Sequence, residues 1–125
     1  MTKRILVIDD ERDLRDIIQL SLEGFTDWET DGAGSGQEGL DKARTNPFDA
    51  ILLDVSMPDM DGLQVFKQLQ SHASTCSIPV VLLTAKTLPS DRHQFIGMGV
   101  TGLIGKPFDP TLIAKQVAEI LGWTM

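Results

Sequence analysis

Short aliphatic runs alternate with longer amphipathic stretches along the chain, five times in succession. Uninterrupted aliphatic runs occur at residues 5–8, 50–53 and 80–83. Such runs are typical of strands buried on both faces of a sheet, since a half-buried strand alternates apolar and polar residues. Two shorter strands are predicted at residues 28–31 and 102–104. The first of these is polar, so it is expected at an edge of the sheet.

The stretch behind the first strand carries apolar residues at helical spacing. It opens with the polar residues 10–13, whose acidic members suit the partly positive amino end of a helix. Its apolar stripe repeats about every 3.6 residues and consists of Leu14, Ile17, Ile18, Ser21, Leu22 and Phe25. Leu20 falls outside this stripe and is expected on the surface, where it could contribute to a docking contact.

Cap and turn residues mark the start of the second helix. The Gly-Ala-Gly sequence at residues 32–34 is expected to form the turn before it. Ser35 followed by Glu38 has the spacing of a capping box, in which each side chain accepts from the other residue's backbone amide. The helix behind this box is expected to end near Asn46, because Pro47 disfavours helical backbone in the residue before it.

Three further helices follow the remaining strands. The third is predicted over about residues 61–70 and the fourth over about residues 90–98. Asp109 is the predicted N-cap of the last helix, with Pro110 in its first turn. Gly122 is expected to close that helix.

Five strand–helix units in a row predict an α/β fold. The expected architecture is a doubly wound, five-stranded parallel sheet of the flavodoxin-like kind, with strand order 2-1-3-4-5 and helices on both faces. All residues, 1–125, are expected to form one domain. In such sheets, ligands bind at the carboxyl ends of the strands.

Composition and charge narrow the classes of function. Apolar residues make up 42% of the 125 residues and charged residues 23%, which disfavours disorder, and the net charge of −7 disfavours unaided nucleic-acid binding. No apolar run approaches the ~18 residues of a membrane span. The amino terminus reaches Asp9 too soon for a signal peptide, so a cytoplasmic protein without membrane contact is expected. Cys76 is the only cysteine, and with no motif around His72 or His93 it is expected to be an unreactive loop residue.

Polar residues close four of the predicted strands. Asp9 and Asp10 follow the first strand, Asp54 the third, Thr84 the fourth, and Lys106 lies just after the fifth. Since parallel strands end at the same edge of a sheet, these side chains are expected to lie together. Each has an ordinary explanation by itself, such as a helix cap for Asp9 and Asp10 or β propensity for Thr84. The agreement of all of them with strand ends favours a shared site.

Such a set of side chains suits phosphoryl transfer. Three neighbouring carboxylates repel one another unless a cation joins them, and Mg²⁺ prefers a few carboxylates with water and phosphate oxygens. Asp54 could then serve both as metal ligand and as oxygen nucleophile. Lys106 and the metal would balance charge on the transferred group, and Thr84 would supply a hydroxyl donor.

The sequence resembles the receiver domain of bacterial response regulators, of the single-domain chemotaxis type, over its whole length. The matching segments are residues 5–11, 52–62, 79–85 and 106–108. The most specific of them is the second, with Asp54, Met57, Pro58 and the Met-Asp-Gly sequence at residues 60–62. The Asp-Asp pair of the first segment is not specific by itself.

The resemblance implies a role for each matching residue. Asp54 accepts a phosphoryl group from a phosphohistidine, and Lys106 pairs with the phosphoryl oxygens. Thr84 reorients to hydrogen-bond the phosphoryl group, assisted by the backbone amide of Ala85. Mg²⁺ is held by Asp10, Asp54 and the backbone carbonyl of Ser56 directly, and by Asp9 through water. Pro107 is expected to follow a cis peptide bond.

One position departs from the family pattern. The residue three before the lysine is usually aromatic and moves when the threonine moves, but here it is Leu103, and the chain has no tyrosine. Our hypothesis is that activation involves the loop at residues 85–90 and helix four without an aromatic switch. NMR shifts on phosphorylation confined to residues 54–60 would contradict it. Ser56 and Lys86 occupy the positions through which family members tune dephosphorylation.

The resemblance also implies the partners. A histidine kinase or histidine phosphotransfer protein is expected to approach the Asp54 edge and helix one. The output is expected through an unknown protein target or a homodimer on the face formed by helix four, strand five and helix five. The chain is expected to be a stand-alone receiver or one excised from a longer chain. It is expected to be a signalling module that promotes its own phosphorylation and autodephosphorylation, not an enzyme with its own substrate.

Three other functions have weaker support in the sequence. Asp59-Met60-Asp61 resembles the Asp-x-Asp of haloacid dehalogenase-type phosphohydrolases but follows a proline instead of ending a strand. The glycine-rich residues 32–36 resemble a dinucleotide-binding loop, yet they follow the second strand and lack the last glycine of that motif. A receiver-like scaffold that takes no phosphate is the third alternative, and failure of acetyl phosphate to modify Asp54 would favour it.

Overall fold

The computed structural model describes residues 2–57 and 60–124. Within them, five strands alternate with five helices. The strands are β1 (Arg4–Ile8), β2 (Glu29–Ala33), β3 (Ala50–Asp54), β4 (Val80–Thr84) and β5 (Gly102–Gly105). The helices are α1 (Arg12–Phe25), α2 (Gly36–Thr45), α3 (Gly62–Gln70), α4 (Pro89–Gly97) and α5 (Ile113–Leu121).

The strands form one parallel sheet in the order β2-β1-β3-β4-β5. This confirms the predicted fold class, strand order and central position of the aliphatic runs. β3 and β4 are buried along their whole length, as continuous apolar runs require. In the part of the chain that the structure describes, every helix is too short or too polar to cross a membrane.

Each face of the sheet has its own hydrophobic core. Successive side chains of a strand point to opposite faces, so Ile5 and Val7 pack with α1 and α5, while Leu6 and Ile8 pack with α2, α3 and α4. All four are almost fully buried. The sheet is therefore covered on both sides, and only its edges and strand ends reach solvent.

Helix α1 buries a narrower stripe than the sequence predicted. Ile18, Ser21 and Leu22 are buried, but Ile17 is 42% exposed and Phe25 is 57% exposed. Ile17 lies about 100° around the helix from Ile18, at the flank of the stripe. Phe25 is the last residue of a helix roughly 21 Å long, which extends past strands of roughly 16 Å. Leu20 is exposed, as predicted.

Two local predictions at the ends of elements were wrong. Residues 32 and 33 belong to β2, where they pair with Val7 and Ile8, so only Gly34 remains in the predicted turn. Asp109 does not cap α5, which starts at Ile113 behind a turn, because its carboxylate instead accepts from the backbone amide and hydroxyl of Thr111. Gly122 ends α5 with φ +71°, as its predicted role requires.

The caps of α2 and α3 differ in completeness. Ser35 Oγ accepts from the Glu38 amide as predicted, but Glu38 Oε1 accepts from the Gly34 amide instead of the Ser35 amide. Asp61 and Gln64 form a complete capping box at the start of α3. The box satisfies the backbone amides of Asp61 and Gln64 and so stabilises the start of α3.

Candidate functional site

The polar residues at the strand ends meet at the carboxyl edge of the sheet. Asp9 follows β1, Asp54 ends β3 and Thr84 ends β4, and these three strands are neighbours. The exposed fractions of the three residues are 0%, 1% and 2%. Lys106 follows β5, and its backbone amide donates to the Thr84 carbonyl at 2.9 Å. The prediction that these residues share one edge is confirmed.

Asp9, Asp10 and Asp54 form a compact carboxylate cluster. One oxygen from each lies within 4.8 Å of the other two. Among the described residues, Asp9 Oδ2, Asp10 Oδ1 and Asp54 Oδ2 are buried without a hydrogen-bond partner. Buried acceptors of this kind are costly, and three adjacent negative charges add repulsion. Oxygen ligands at this spacing fit a hard divalent cation such as Mg²⁺, which would offset the repulsion between the three carboxylates.

The buried, crowded surroundings shift the pKa of the Asp9 carboxyl group. Burial, reinforced by the charges of Asp54 and Asp10, raises the pKa of Asp9 from 3.8 to about 6. The Glu11 amide, which donates to Asp9 Oδ1 at 3.0 Å, and the ammonium of Lys106 act in the opposite direction. Asp9 is thus close to half protonated near pH 6 when no cation is bound. The proposed helix-cap role of Asp9 is not seen, since the N-cap of α1 is Glu11.

The two oxygens of Asp54 have different surroundings. Oδ1 accepts from Lys106 Nζ at 2.6 Å and from the Ser56 amide at 3.3 Å. Oδ2 is buried and accepts from no described group. The Lys106 side chain keeps 22% exposure, so its ammonium reaches from solvent into the buried site. The 52-residue separation of this ion pair shows how strongly the parallel sheet concentrates distant residues.

Thr84 and the loop behind it form the other wall of the site. Thr84 Oγ1 accepts from the Lys86 amide at 2.9 Å, which leaves its proton available for an incoming acceptor. Ala85 and Lys86 are exposed. Leu103 is only 6% exposed and packs in the same core as Phe95 of α4. The Lys106–Pro107 peptide bond is cis, as the resemblance implied.

Gly62, the first residue of α3, lies close to the backbone of Asp54 and Val55. A Cβ atom at Gly62 would lie 2.7 Å from Val55 Cα and would also collide with the Asp54 carbonyl oxygen. Both obstacles are backbone atoms, so no side-chain rotation could relieve them. The Gly62 amide also donates to the Val55 carbonyl at 2.9 Å.

We therefore expect Gly62→Ala to lower the free energy of unfolding by about 1–3 kcal/mol, the usual cost of overpacking. Urea unfolding measures it, with Gly24→Ala as the matched control. Gly24 lies inside α1 with open space around its missing Cβ, so alanine there should raise stability by about 0.5–1 kcal/mol. Equal effects of the two substitutions would contradict the close approach at Gly62.

The residues that suggested other functions do not form a second site in the described part of the chain. Cys76 is exposed, and His72 contacts Arg44 at 2.9 Å. Asp59 of the Asp-x-Asp sequence lies outside the described residues. The space beside Gly32 and Gly34, which a dinucleotide phosphate would need, is occupied by the side chains of Gln19 and Arg15.

Sequence reasoning missed Arg15, whose Nη1 donates to the Asp9 carbonyl at 2.8 Å. An arginine on an amphipathic helix usually faces solvent, so only the glycines opposite it in β2 could have indicated its place. It also missed an open apolar cleft beside the site, with a volume of about 560 Å³. Leu14 and Ile17 of α1 line one side of the cleft, and Pro107 and Phe108 line the other.

The chain belongs to the response regulator receiver family, since the family model described as "Response regulator receiver domain" matches residues 5–118. It is 36% identical over 121 residues to the transcriptional regulatory protein SrrA of Staphylococcus aureus (strain NCTC 8325 / PS 47), covering 97% of this chain and 48% of that protein. The chain thus spans about half the length of the curated relatives it matches.

Solved structures of response regulators have the same fold. The chemotaxis response regulator CheY4 of Vibrio cholerae matches with a TM-score of 0.88 and 29% identity, over 96% of this chain and 99% of that chain. A putative response regulator from Chloroflexus aurantiacus J-10-fl matches with a TM-score of 0.86 and 30% identity, over 98% and 99%. The predicted family, fold and role in two-component signalling are confirmed.

Proposed function

We propose that the chain is a phosphoacceptor that takes a phosphoryl group from the phosphohistidine of a partner protein onto Asp54. The observation that carries this proposal concerns Asp54 Oδ2, which is buried, has no hydrogen-bond partner among the described residues, and belongs to the same carboxylate as the oxygen bound by Lys106. An anionic oxygen without a donor is a competent nucleophile. The ammonium of Lys106, together with a cation held by the adjoining carboxylates, would give the transferred group compensating positive charge.

Each residue of the site has a role in the transfer. Asp54 Oδ2 attacks phosphorus while the phosphorus–nitrogen bond of the phosphohistidine breaks, and the bonding pair stays on the imidazole nitrogen, which takes a proton from water. Lys106 moves from Asp54 Oδ1 toward a phosphoryl oxygen, a short step because only 2.6 Å separates the pair. Thr84 donates its free hydroxyl proton, and the Ala85 amide assists.

The carboxylates of Asp9, Asp10 and Asp54, with the Ser56 carbonyl, would hold Mg²⁺. Bound there, the ion supplies charge neutralisation for the phosphoryl oxygens. Among the described residues, Asp9 Oδ2 and Asp10 Oδ1 have no hydrogen-bond partner, and Asp54 Oδ1 becomes available when Lys106 moves away, which supports this assignment. Asp9 is fully buried, and its Oδ1 is already bound by the Glu11 amide. By resemblance to the family, it would hold the ion through water.

Reversal of the signal is part of the proposal. A water oxygen attacks phosphorus, the bond to Asp54 Oδ2 breaks, and inorganic phosphate leaves. Ser56 and Lys86 are both exposed at the mouth of the site, where they would set the access of this water. The chain is therefore a signalling module that promotes its own phosphorylation and dephosphorylation.

The phosphoryl donor would bind at the carboxyl edge of the sheet, where Asp54 lies. A histidine kinase or histidine phosphotransfer protein would present its phosphohistidine above Asp54, with the apolar cleft of α1 beside it. The family favours a cytoplasmic place of action and an output through protein contacts of α4, β5 and α5, either with a target protein or in a homodimer. All residues, 1–125, are assigned to this one module.

Acetyl phosphate with Mg²⁺ tests the proposal, because this small donor needs no partner protein. Borohydride converts an acyl phosphate to a stable alcohol, so mass spectrometry of peptides should locate the label at Asp54. A label at another carboxylate would show that Asp54 is not the phosphoacceptor. Absence of any label, with Mg²⁺ binding intact, would instead favour a scaffold that takes no phosphate.

A further inference from the structure

Arg15 of α1 reaches across the end of β2 toward the site. Its Cδ and Nε atoms lie 3.0 Å and 3.1 Å from the place a Cβ would take on Gly32, and its Nη1 lies 3.3 Å from the corresponding place on Gly34. The Arg15 side chain thus lies in the space that these two glycines leave, and at Gly32 it shares that space with Gln19 Oε1, which is 2.7 Å away. At its tip, Nη1 donates to the Asp9 carbonyl at 2.8 Å.

Asp9 is consequently held at three points. Its backbone amide donates to the Ala33 carbonyl at 3.0 Å, its carbonyl accepts from Arg15, and its Oδ1 accepts from the Glu11 amide. Of the polar atoms of Asp9, Oδ2 is the one that has no partner in residues 2–57 and 60–124. Of the three groups that hold Asp9, Arg15 is the one side chain, so it alone can be altered without changing the backbone.

We infer that Arg15 is a positioning residue for the metal site, holding the end of β1 so that the carboxylates of Asp9 and Asp10 stay directed at a divalent cation. This inference rests on the proposed function. Arg15 would touch neither the ion nor the phosphoryl group. Groups that fix metal ligands from behind commonly contribute a factor of 10–100 in metal affinity.

If Arg15 acted only through its charge, its removal would change the affinity for Mg²⁺ in the opposite direction. The direction of the change in affinity therefore tests the inference. A guanidinium near a carboxylate cluster repels a cation, so a variant that only loses this charge should bind Mg²⁺ more tightly. A variant that loses positioning should bind Mg²⁺ more weakly. The direction of the change in Kd therefore separates the two roles.

The experiment compares Arg15→Met with Arg12→Met by titration calorimetry of the full chain with Mg²⁺ at fixed ionic strength. Arg12 also lies on α1, but its side chain is 84% exposed, and within the described part of the chain its ion pair is with Asp16. Both variants lose one positive charge from the same helix. We expect Arg15→Met to raise the Kd for Mg²⁺ about tenfold, whereas Arg12→Met leaves it nearly unchanged or slightly lower.

Arg15→Lys is the rescue variant, because it keeps the charge and can still donate to a carbonyl. We expect it to recover part of the lost affinity. Urea unfolding of each variant in chelator, and the NMR shift of the Glu11 amide, show whether Asp9 alone or the whole fold has changed. A folded Arg15→Met that binds Mg²⁺ as tightly as the unmodified chain, or more tightly, would overturn the inference. No Mg²⁺ binding by the unmodified chain would instead overturn the metal site of the proposed function.

Discussion

Asp54→Asn is expected to abolish labelling by acetyl phosphate in the presence of Mg²⁺. The substitution replaces an anionic nucleophile with an amide of nearly the same shape, and the amide nitrogen has no lone pair available to attack phosphorus. Asp9 and Asp10 retain their carboxylates in this variant. Of the three residues, however, it is Asp54 whose Oδ1 accepts a hydrogen bond from Lys106. The remaining carboxylates therefore lack the ammonium that the transfer requires.

The control for this variant is Asp49→Asn, at the opposite end of the same strand. Asp49 is exposed and accepts from the Arg4 amide, far from the carboxylate cluster. Mass spectrometry of the intact chain should show normal labelling of this control and none of Asp54→Asn, with circular dichroism verifying that both are folded. Full labelling of Asp54→Asn would identify another side chain as the acceptor.

Asp9→Asn is expected to stabilise the folded chain in chelator at neutral pH. Because the pKa of Asp9 is raised in the folded state, to about 6 from 3.8, the folded chain binds a proton more readily than the unfolded one. The resulting stabilisation is complete below pH 3.8 and is lost as pH rises through about 6. A shift of this size corresponds to about 3 kcal/mol, so Asp9→Asn should gain up to that amount over the unmodified chain by pH 7.

Urea unfolding between pH 4 and 7 in chelator measures this difference. Asp109→Asn is a control of opposite sign, because the hydroxyl and amide of Thr111 lower the pKa of Asp109. Its carboxylate stabilises the fold above pH 3.8 and loses that effect on acidification, so the variant should weaken the chain most at neutral pH. With Mg²⁺ added, the advantage of Asp9→Asn should shrink, since the ion stabilises only the intact cluster. A constant difference across the pH range would contradict the raised pKa.

The parts of the fold that the sequence predicted well are those governed by burial alone. β1, β3 and β4 consist of apolar residues that must be covered on both faces, and no other arrangement of such short runs is as favourable. The gathering of Asp9, Asp54 and Lys106 at one edge followed from the parallel direction of their strands. The residue types then restricted the chemistry to a hard cation and an oxygen nucleophile.

The parts that could not be predicted depend on tertiary neighbours. Phe25 follows the helical period of α1, but whether it is buried depends on where the sheet ends. Asp109 has the residue type of an N-cap, yet its bond to Thr111 starts a separate turn. Arg15 follows no periodic rule, because its position is set by glycines that lie 17 and 19 residues later in sequence.

The two tryptophans lie at the amino end of the sheet, opposite Asp54. Trp28 precedes β2 and meets the ring of Trp123 edge to face, with 5.3 Å between ring centres, and Lys3 Nζ lies 5.1 Å from the Trp123 ring. Strands of five residues separate them from the carboxylates by roughly 16 Å. Tryptophan fluorescence should therefore change when α5 detaches from the sheet, but should not change when Mg²⁺ binds at the carboxylate cluster. A single optical signal can thus monitor denaturation across a magnesium titration without quenching by the ion itself.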